Sequence, residues 1–205
     1  MILFENGVKI LEDRDICFSK RVAAGETLRL SLVCRDSGTA SFDIDMEAEG
    51  ADVELKGLYL CSAEAKASIR VNMRHTVGGS RSNQLFRGLV DGNARVEFDG
   101  RIVVAPDAQK TEAYQTAQTL QLSDTAVVQT SPQLEIYADD VKASHGATTG
   151  QLDDSALFYM QQRCLDESTA RKLLIAAFMK DVLETIMDET LREQMLTQIE
   201  PAQPE

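Results

Sequence analysis

The stretch "SIRVNMRHTV" (residues 68–77) alternates strictly. Ile69, Val71, Met73 and Val77 fall on one side, and Arg70, Asn72 and Arg74 on the other. Successive side chains of an extended chain point to opposite faces, so this pattern specifies a half-buried strand and excludes an amphipathic helix. The same period of two runs through "TLRLSLVC" (27–34) with Leu28, Leu30, Leu32 and Cys34, and through "SFDIDMEAEG" (41–50) with Phe42, Ile44 and Met46. It returns in "ARVEFDGRIVV" (94–104) with Val96, Phe98, Ile102 and Val104. Turn residues such as "DSGT", "EGAD", "VGGS", "VDGN" and "APDA" separate these segments. His75 shares the phase of Ile69 and Met73, so it is expected to point inward as a hydrogen-bonded core histidine.

No strand is followed by a helical crossover, which excludes a doubly wound α/β sheet. A sandwich, a barrel and a β-solenoid remain, the solenoid favoured by short Val- and Ala-rich rungs although no crisp repeat is visible. In the run "AQKTEAYQTAQ" (108–118), the Gln and Thr residues are expected to form side-chain hydrogen-bond ladders at solenoid corners rather than a catalytic cluster.

Beyond "YADDVKASHGATTG" (137–150) the period changes to three and four. "DDSALFYMQQRC" reads as a helix capped by Asp153 or Asp154, with Ala156, Leu157, Met160 and Cys164 as its stripe. A second helix starts at "DEST" with Asp166 or Ser168 as cap, and its apolar positions are Leu173, Leu174, Ala177, Phe178, Val182 and Ile186. A third segment carries Leu191, Met195 and Ile199. The expected organisation is a β core over residues 1–150, a helical subdomain over 151–199, and a disordered tail over 200–205.

The 205 residues hold a net charge of −12, which argues against nucleic acid and against an anionic membrane surface, since both are bound through clustered Lys and Arg. No run reaches the roughly 18 apolar residues of a membrane span. The opening "MILFENGVKILEDRD" lacks the basic start of a secretory signal, which points to the cytoplasm. Cys17, Cys34, Cys61 and Cys164 form no C-x-x-C pair and are expected to be free thiols, Cys34 and Cys61 acting as small buried hydrophobes.

The run "ADDVKASHGATTGQLDDSALFYMQQR" (138–163), preceded by "FRGLVDGNARVEFDGRIVVAPDAQKTEAYQTAQTL", resembles the SufB/SufD family of iron–sulfur cluster assembly scaffolds, and its form is that of the SufD branch. The likeness extends over residues 75–186. It implies a right-handed parallel β-helix followed by a C-terminal helical subdomain. It also implies a non-enzymatic scaffold that pairs with a SufB-like subunit, docks a SufC-like ABC ATPase and receives sulfur from a cysteine desulfurase system. Family members carry a further N-terminal region absent from these residues, so the chain is expected to be a fragment or a short relative.

By the same resemblance, His145 in "SHGAT" matches a histidine at the joint between subunits, where a transient iron–sulfur cluster would form. Neutral imidazole is a competent iron ligand. Many SufD proteins have Cys two residues earlier, where this chain has Ala143, so thiolate ligands would come from the partner and the isolated chain is expected to hold no cluster. The alternative for His145 is a polar cap on the end of the β body, and Asp139 and Asp140 are expected to satisfy backbone donors in the adjoining turn.

Phe158, Tyr159 and Arg163 are the residue types that anchor interfaces and are assigned to partner binding, while Leu173, Leu174, Ala177 and Phe178 are expected to cover the open end of the β body. Two other readings stand beside the scaffold. One is a structural β-helix homo-oligomer or homodimer joined at strand edges. The other is a β-helix polysaccharide lyase, which scattered acids and the missing secretion signal disfavour.

Overall fold

The computed structural model describes residues 1–197. Within them the alternating segments become twelve strands, followed by three helices. One sheet is built from β1 (Ile2–Glu5), β2 (Val8–Glu12), β4 (Thr27–Cys34), β6 (Asp52–Cys61), β8 (Arg81–Val90), β10 (Glu112–Gln121) and β12 (Lys142–Gly150). The other contains β3 (Asp15–Val22), β5 (Gly38–Met46), β7 (Lys66–His75), β9 (Arg95–Val104) and β11 (Val127–Ile136). From β3 onward the chain changes sheet at every strand, and each strand pairs in parallel with the strand two places on. Two strands therefore make one coil, and the chain is a β-solenoid. At its N-terminal end the antiparallel β1–β2 hairpin extends the first sheet beside β4.

The repeat that composition does not show lies in the corners. Gly25, Gly50, Gly79 and Lys110 each stand two residues before a strand of the first sheet, and all four have left-handed φ, from 60° to 73°. Their amides bond from coil to coil, Gly50 N–H to Gly79 O at 3.2 Å and Gly79 N–H to Gln109 O at 2.9 Å. Three of the four are glycine because that backbone region strains a Cβ. Lys110 occupies the same conformation without being glycine, so the corner has no constant letter.

The interior is filled by reciprocal large and small residues. Gly57 pairs in register with Phe86 and Tyr59 with Gly88, and each ring lies where the facing glycine would carry a Cβ. Phe86 meets Phe98 of the other sheet at 4.7 Å between ring centres. Fully burying such a ring contributes about 1.5–3 kcal/mol. The expected inward residues Leu28, Leu30, Leu32, Phe42, Ile44, Met46, Ile69, Val71, Met73, Val96, Phe98, Ile102 and Val104 are all buried. Val77 is not: β7 ends at His75, and Val77 lies 38% exposed in the turn beyond it.

His75 itself is fully buried between two serines, Nδ1 at 2.8 Å from Ser80 Oγ and Nε2 at 2.8 Å from Ser82 Oγ. Cys34 and Cys61 are buried free thiols that share the Asp36 carbonyl, at 3.0 and 3.8 Å. A hydrogen bond from Cys61 holds Cys34 below the usual thiol range, and the same contact, with burial, pushes Cys61 up. Cys17 and Cys164 are free and exposed.

The helices are α1 (Asp154–Gln161), α2 (Glu167–Leu183) and α3 (Glu189–Thr197). Asp153 caps α1 by accepting from Ser155 N–H, and Asp166 caps α2 by accepting from Thr169 N–H. Their placement corrects an expectation. Ile175, Met179, Val182, Leu183 and Ile186 pack with Leu191 and Met195 against Ile2, Phe4, Val33, Leu58 and Leu89, the outward side chains of the first sheet. The helical region thus covers a flank of the solenoid rather than its end, as far as the described residues go. Leu173 is 48% exposed and Ala177 is exposed too, because Leu58 and Leu89 make the outer face itself apolar and draw in the opposite side of α2. On α1 only Leu157 is buried, and Cys164 is an exposed residue with φ 65° after the helix ends. Ile199 and the expected tail at 200–205 lie outside the described residues.

Candidate functional site

The last coil, β11 and β12, is the outermost strand of each sheet at one end, so each presents one row of unpaired backbone groups. In β12 the inward positions Ala143, His145, Ala147 and Thr149 stand in register over Ala113, Gln115, Ala117 and Thr119 of β10. Those four residues of β10 are buried, whereas His145, Ala147 and Thr149 are exposed, because no further coil stacks on them. The column beneath changes character towards this end. Leu28, Leu30 and Leu32 line β4, while β10 and β12 carry Ala, Gln, Thr and His. Leu134 and Val128 of β11 are half-buried, and Ile136 and Tyr137 are 40% and 62% exposed beside the open rung.

Ion pairs fasten the last coil to the one before. Lys142 meets Glu112 at 2.8 Å and Arg101 meets Glu135 at 2.7 Å. Each carboxylate is held below its ordinary range, Glu112 by the bond from Lys142 and Glu135 by the bond from Arg101. The turn before β12 is closed by main-chain groups of Asp140 rather than by its carboxylate: Asp140 N–H donates to Gln109 Oε1 at 2.9 Å, and its carbonyl accepts from Lys110 N–H at 2.5 Å.

His145 presents an exposed imidazole without a hydrogen-bond partner among the described residues. Ala143, Ala147 and Thr149 beside it offer no thiolate or carboxylate, and among the described residues no three His, Cys, Asp or Glu side chains converge on one point. The rung therefore presents a single imidazole, and a metal held there would need its other ligands from outside the described residues. Phe158 and Tyr159 project from α1, which follows β12 after a three-residue link, and are 62% and 59% exposed. Arg163 lies over the Tyr159 ring at 5.2 Å and donates to its hydroxyl at 3.0 Å, so these two form one unit.

Of the residues under His145, the sequence pattern points to Gln115 as part of a ladder but not to its partner Gln84 or to Tyr59. The expected Gln ladder exists, but inside the coil rather than at its corners: Gln115 Nε2 donates to Gln84 Oε1 at 2.7 Å, and both residues are buried. Thr119 bonds to the Tyr59 hydroxyl two coils below, and burial pushes that phenol up to about 12. The signal that could have found them is the step of 31 residues from Gln84 to Gln115, continued one coil further to His145.

The described residues thus form a β-solenoid with two edge strands at one end and a helical flank. Residues 33–178 match the family model described as SUF system FeS cluster assembly, SufBD core domain. The chain is 36% identical over 154 residues to the iron–sulfur cluster assembly protein SufD of Escherichia coli K12, covering 75% of this chain and 36% of that protein. It is 33% identical over 173 residues to a SufBD family protein of Synechocystis, covering 80% and 37%, and 37% identical over 144 residues to the chloroplastic protein ABCI7 of Arabidopsis thaliana, covering 69% and 30%. The chain belongs to the SufBD family of iron–sulfur cluster assembly proteins. It spans about a third of the length of these relatives. No helix among the described residues is long and apolar enough to cross a membrane.

Proposed function

We propose that the chain is a SufD-like scaffold that performs no reaction itself and acts in the cytoplasm, joining a SufB-like subunit through its open rung and a SufC-like ATPase through its helical region. The observation that carries this reading is the terminal coil: β11 and β12 offer unpaired edges flanked by Ile136 and Tyr137, and none of the described residues covers them. Edge strands left open pair readily with another chain, and main-chain bonding across such a joint continues both sheets. His145 would then sit at the seam, one imidazole offered to a nascent iron–sulfur cluster whose thiolates belong to the partner. The exposed aromatic pair Phe158 and Tyr159, with Arg163, supplies the anchors for the ATPase.

The test is co-purification of the chain with a SufB-like subunit and a SufC-like ATPase. Phe158→Ala with Arg163→Glu should remove the ATPase and leave the SufB-like subunit bound; unchanged ATPase binding counts against the docking assignment. Anaerobic reconstitution with iron and sulfide then reads the seam. His145→Ala should lower the visible charge-transfer absorption of the complex, and equal cluster content removes His145 from the site. A self-paired dimer in sedimentation, persisting when the SufB-like subunit is added, would favour the homodimer instead.

A further inference from the structure

We propose that Gln115 is the positioning residue of His145, with Gln84 behind it; this rests on the reading of His145 as the chain's contribution to the seam. Gln84, Gln115 and His145 hold the same inward register position on three successive coils. The bond from Gln115 Nε2 to Gln84 Oε1 uses one end of each amide. The other ends, Gln84 Nε2 and Gln115 Oε1, are buried with no partner. Buried acceptors are almost always satisfied, since leaving one unmade forfeits its hydration without return. Gln115 has little freedom to turn away. Its amide lies against Gly100 of the opposite sheet, in space that a Cβ there would fill. Its inward neighbours Ala113 and Ala117 carry no side-chain donor, nor do Ala143 and Ala147 on the coil above. The one side chain with an N–H at the matching register position is His145.

A neutral imidazole has one N–H and one lone pair. In the proposed arrangement His145, one coil above in the same register, turns about its side-chain torsions so that its N–H meets the unpartnered Gln115 Oε1. The ring is then fixed in one tautomer, with the lone pair of the other nitrogen directed out of the open end. A carbonyl that holds the far nitrogen of a ligating histidine sets its tautomer and orientation in just this way. The Gln84–Gln115 pair thus converts an exposed, freely turning ring into an aimed donor.

The experiment uses the full chain labelled with 15N and a two-bond 1H–15N correlation of its imidazoles. There are two histidines, so His145→Ala assigns both, and the pattern of buried His75 reports folding in every variant. Wild type should show His145 in one dominant tautomer. Gln115→Met, which keeps the length but removes the acceptor, should shift both ring nitrogens towards the averaged values of a mixed population; should it lose the His75 pattern, Gln115→Leu is read in its place. Gln115→Glu should restore the single tautomer, because a carboxylate still accepts and the free Nε2 of Gln84 can turn to donate to it. Identical His145 patterns in wild type and the apolar variants overturn the proposal. Ferrous iron added to the reconstituted complex reads the parent assignment separately: if His145→Ala leaves iron uptake unchanged while the tautomer result stands, His145 is positioned but is not a ligand.

Discussion

Lowering the pH from 7 to 4 should remove a defined part of the stability of this chain through one residue, His75. The ring is fully buried, with serine oxygens at 2.8 Å on both nitrogens. Ser80 Oγ also donates to Val77 O at 3.3 Å, so it accepts from His75 Nδ1–H, and Ser82 donates to Nε2. That arrangement holds a neutral ring; a proton on Nε2 would face a hydroxyl already turned to donate. Burial accordingly lowers His75 to about 4. The unfolded chain takes up this proton near 6.5, while the folded chain resists until about 4, so the unfolded state binds more protons in that window and stability falls with pH. About 2.5 pH units at 1.36 kcal/mol per unit amount to roughly 3 kcal/mol, fully present above pH 6.5 and lost on approaching pH 4. Urea unfolding followed by circular dichroism at pH 7, 5.5 and 4 measures it in wild type and His75→Gln. The variant should start less stable at pH 7 and lose about 3 kcal/mol less across the window. The lowered carboxylates, Asp45 beside Arg74 and Asp15 bonded to Thr39, act at lower pH and equally in both proteins. Parallel stability curves for the two would refute the buried neutral ring.

Three further outcomes follow from the packing. Gly88→Ala places a methyl where the Tyr59 ring lies, and should cost about 1–3 kcal/mol in thermal or urea unfolding, with loss of the Tyr59–Thr119 contact. Met179→Ala empties the joint between α2 and the first sheet; a loss of about 2–5 kcal/mol is expected, with strand circular dichroism retained and faster hydrogen exchange along α2. Lys142→Ala removes an exposed pair with Glu112 and should change stability by less than about 1 kcal/mol, so a large loss would mean that the last coil depends on its ion pairs.

Period-two alternation located the strands and their inward faces because burial acts on each residue separately, and Ile69, Val71 and Met73 needed no partner to be read. It did not reveal the coil repeat. The left-handed corner is a backbone requirement that Gly25, Gly50 and Gly79 meet by type and Lys110 meets in spite of its type. Phase also misled at Val77, where the strand had already ended. The helical stripe was half right. Val182 and Ile186 are buried, but Leu173 faces solvent, since helix periodicity names an apolar side without saying which surface it will meet.

Alternation, turn chemistry and the motif around His145 were properties of the sequence alone, and they settled a mainly β chain, its solenoid class by resemblance, and the SufBD family. Only the tertiary structure decided that α2 lies along a flank, that β11 and β12 are the edge strands, and that Gln84 and Gln115 stand beneath His145. The reason is register: parallel stacking joins residues about thirty apart in sequence, and no local pattern of hydrophobicity records which of them will share a column.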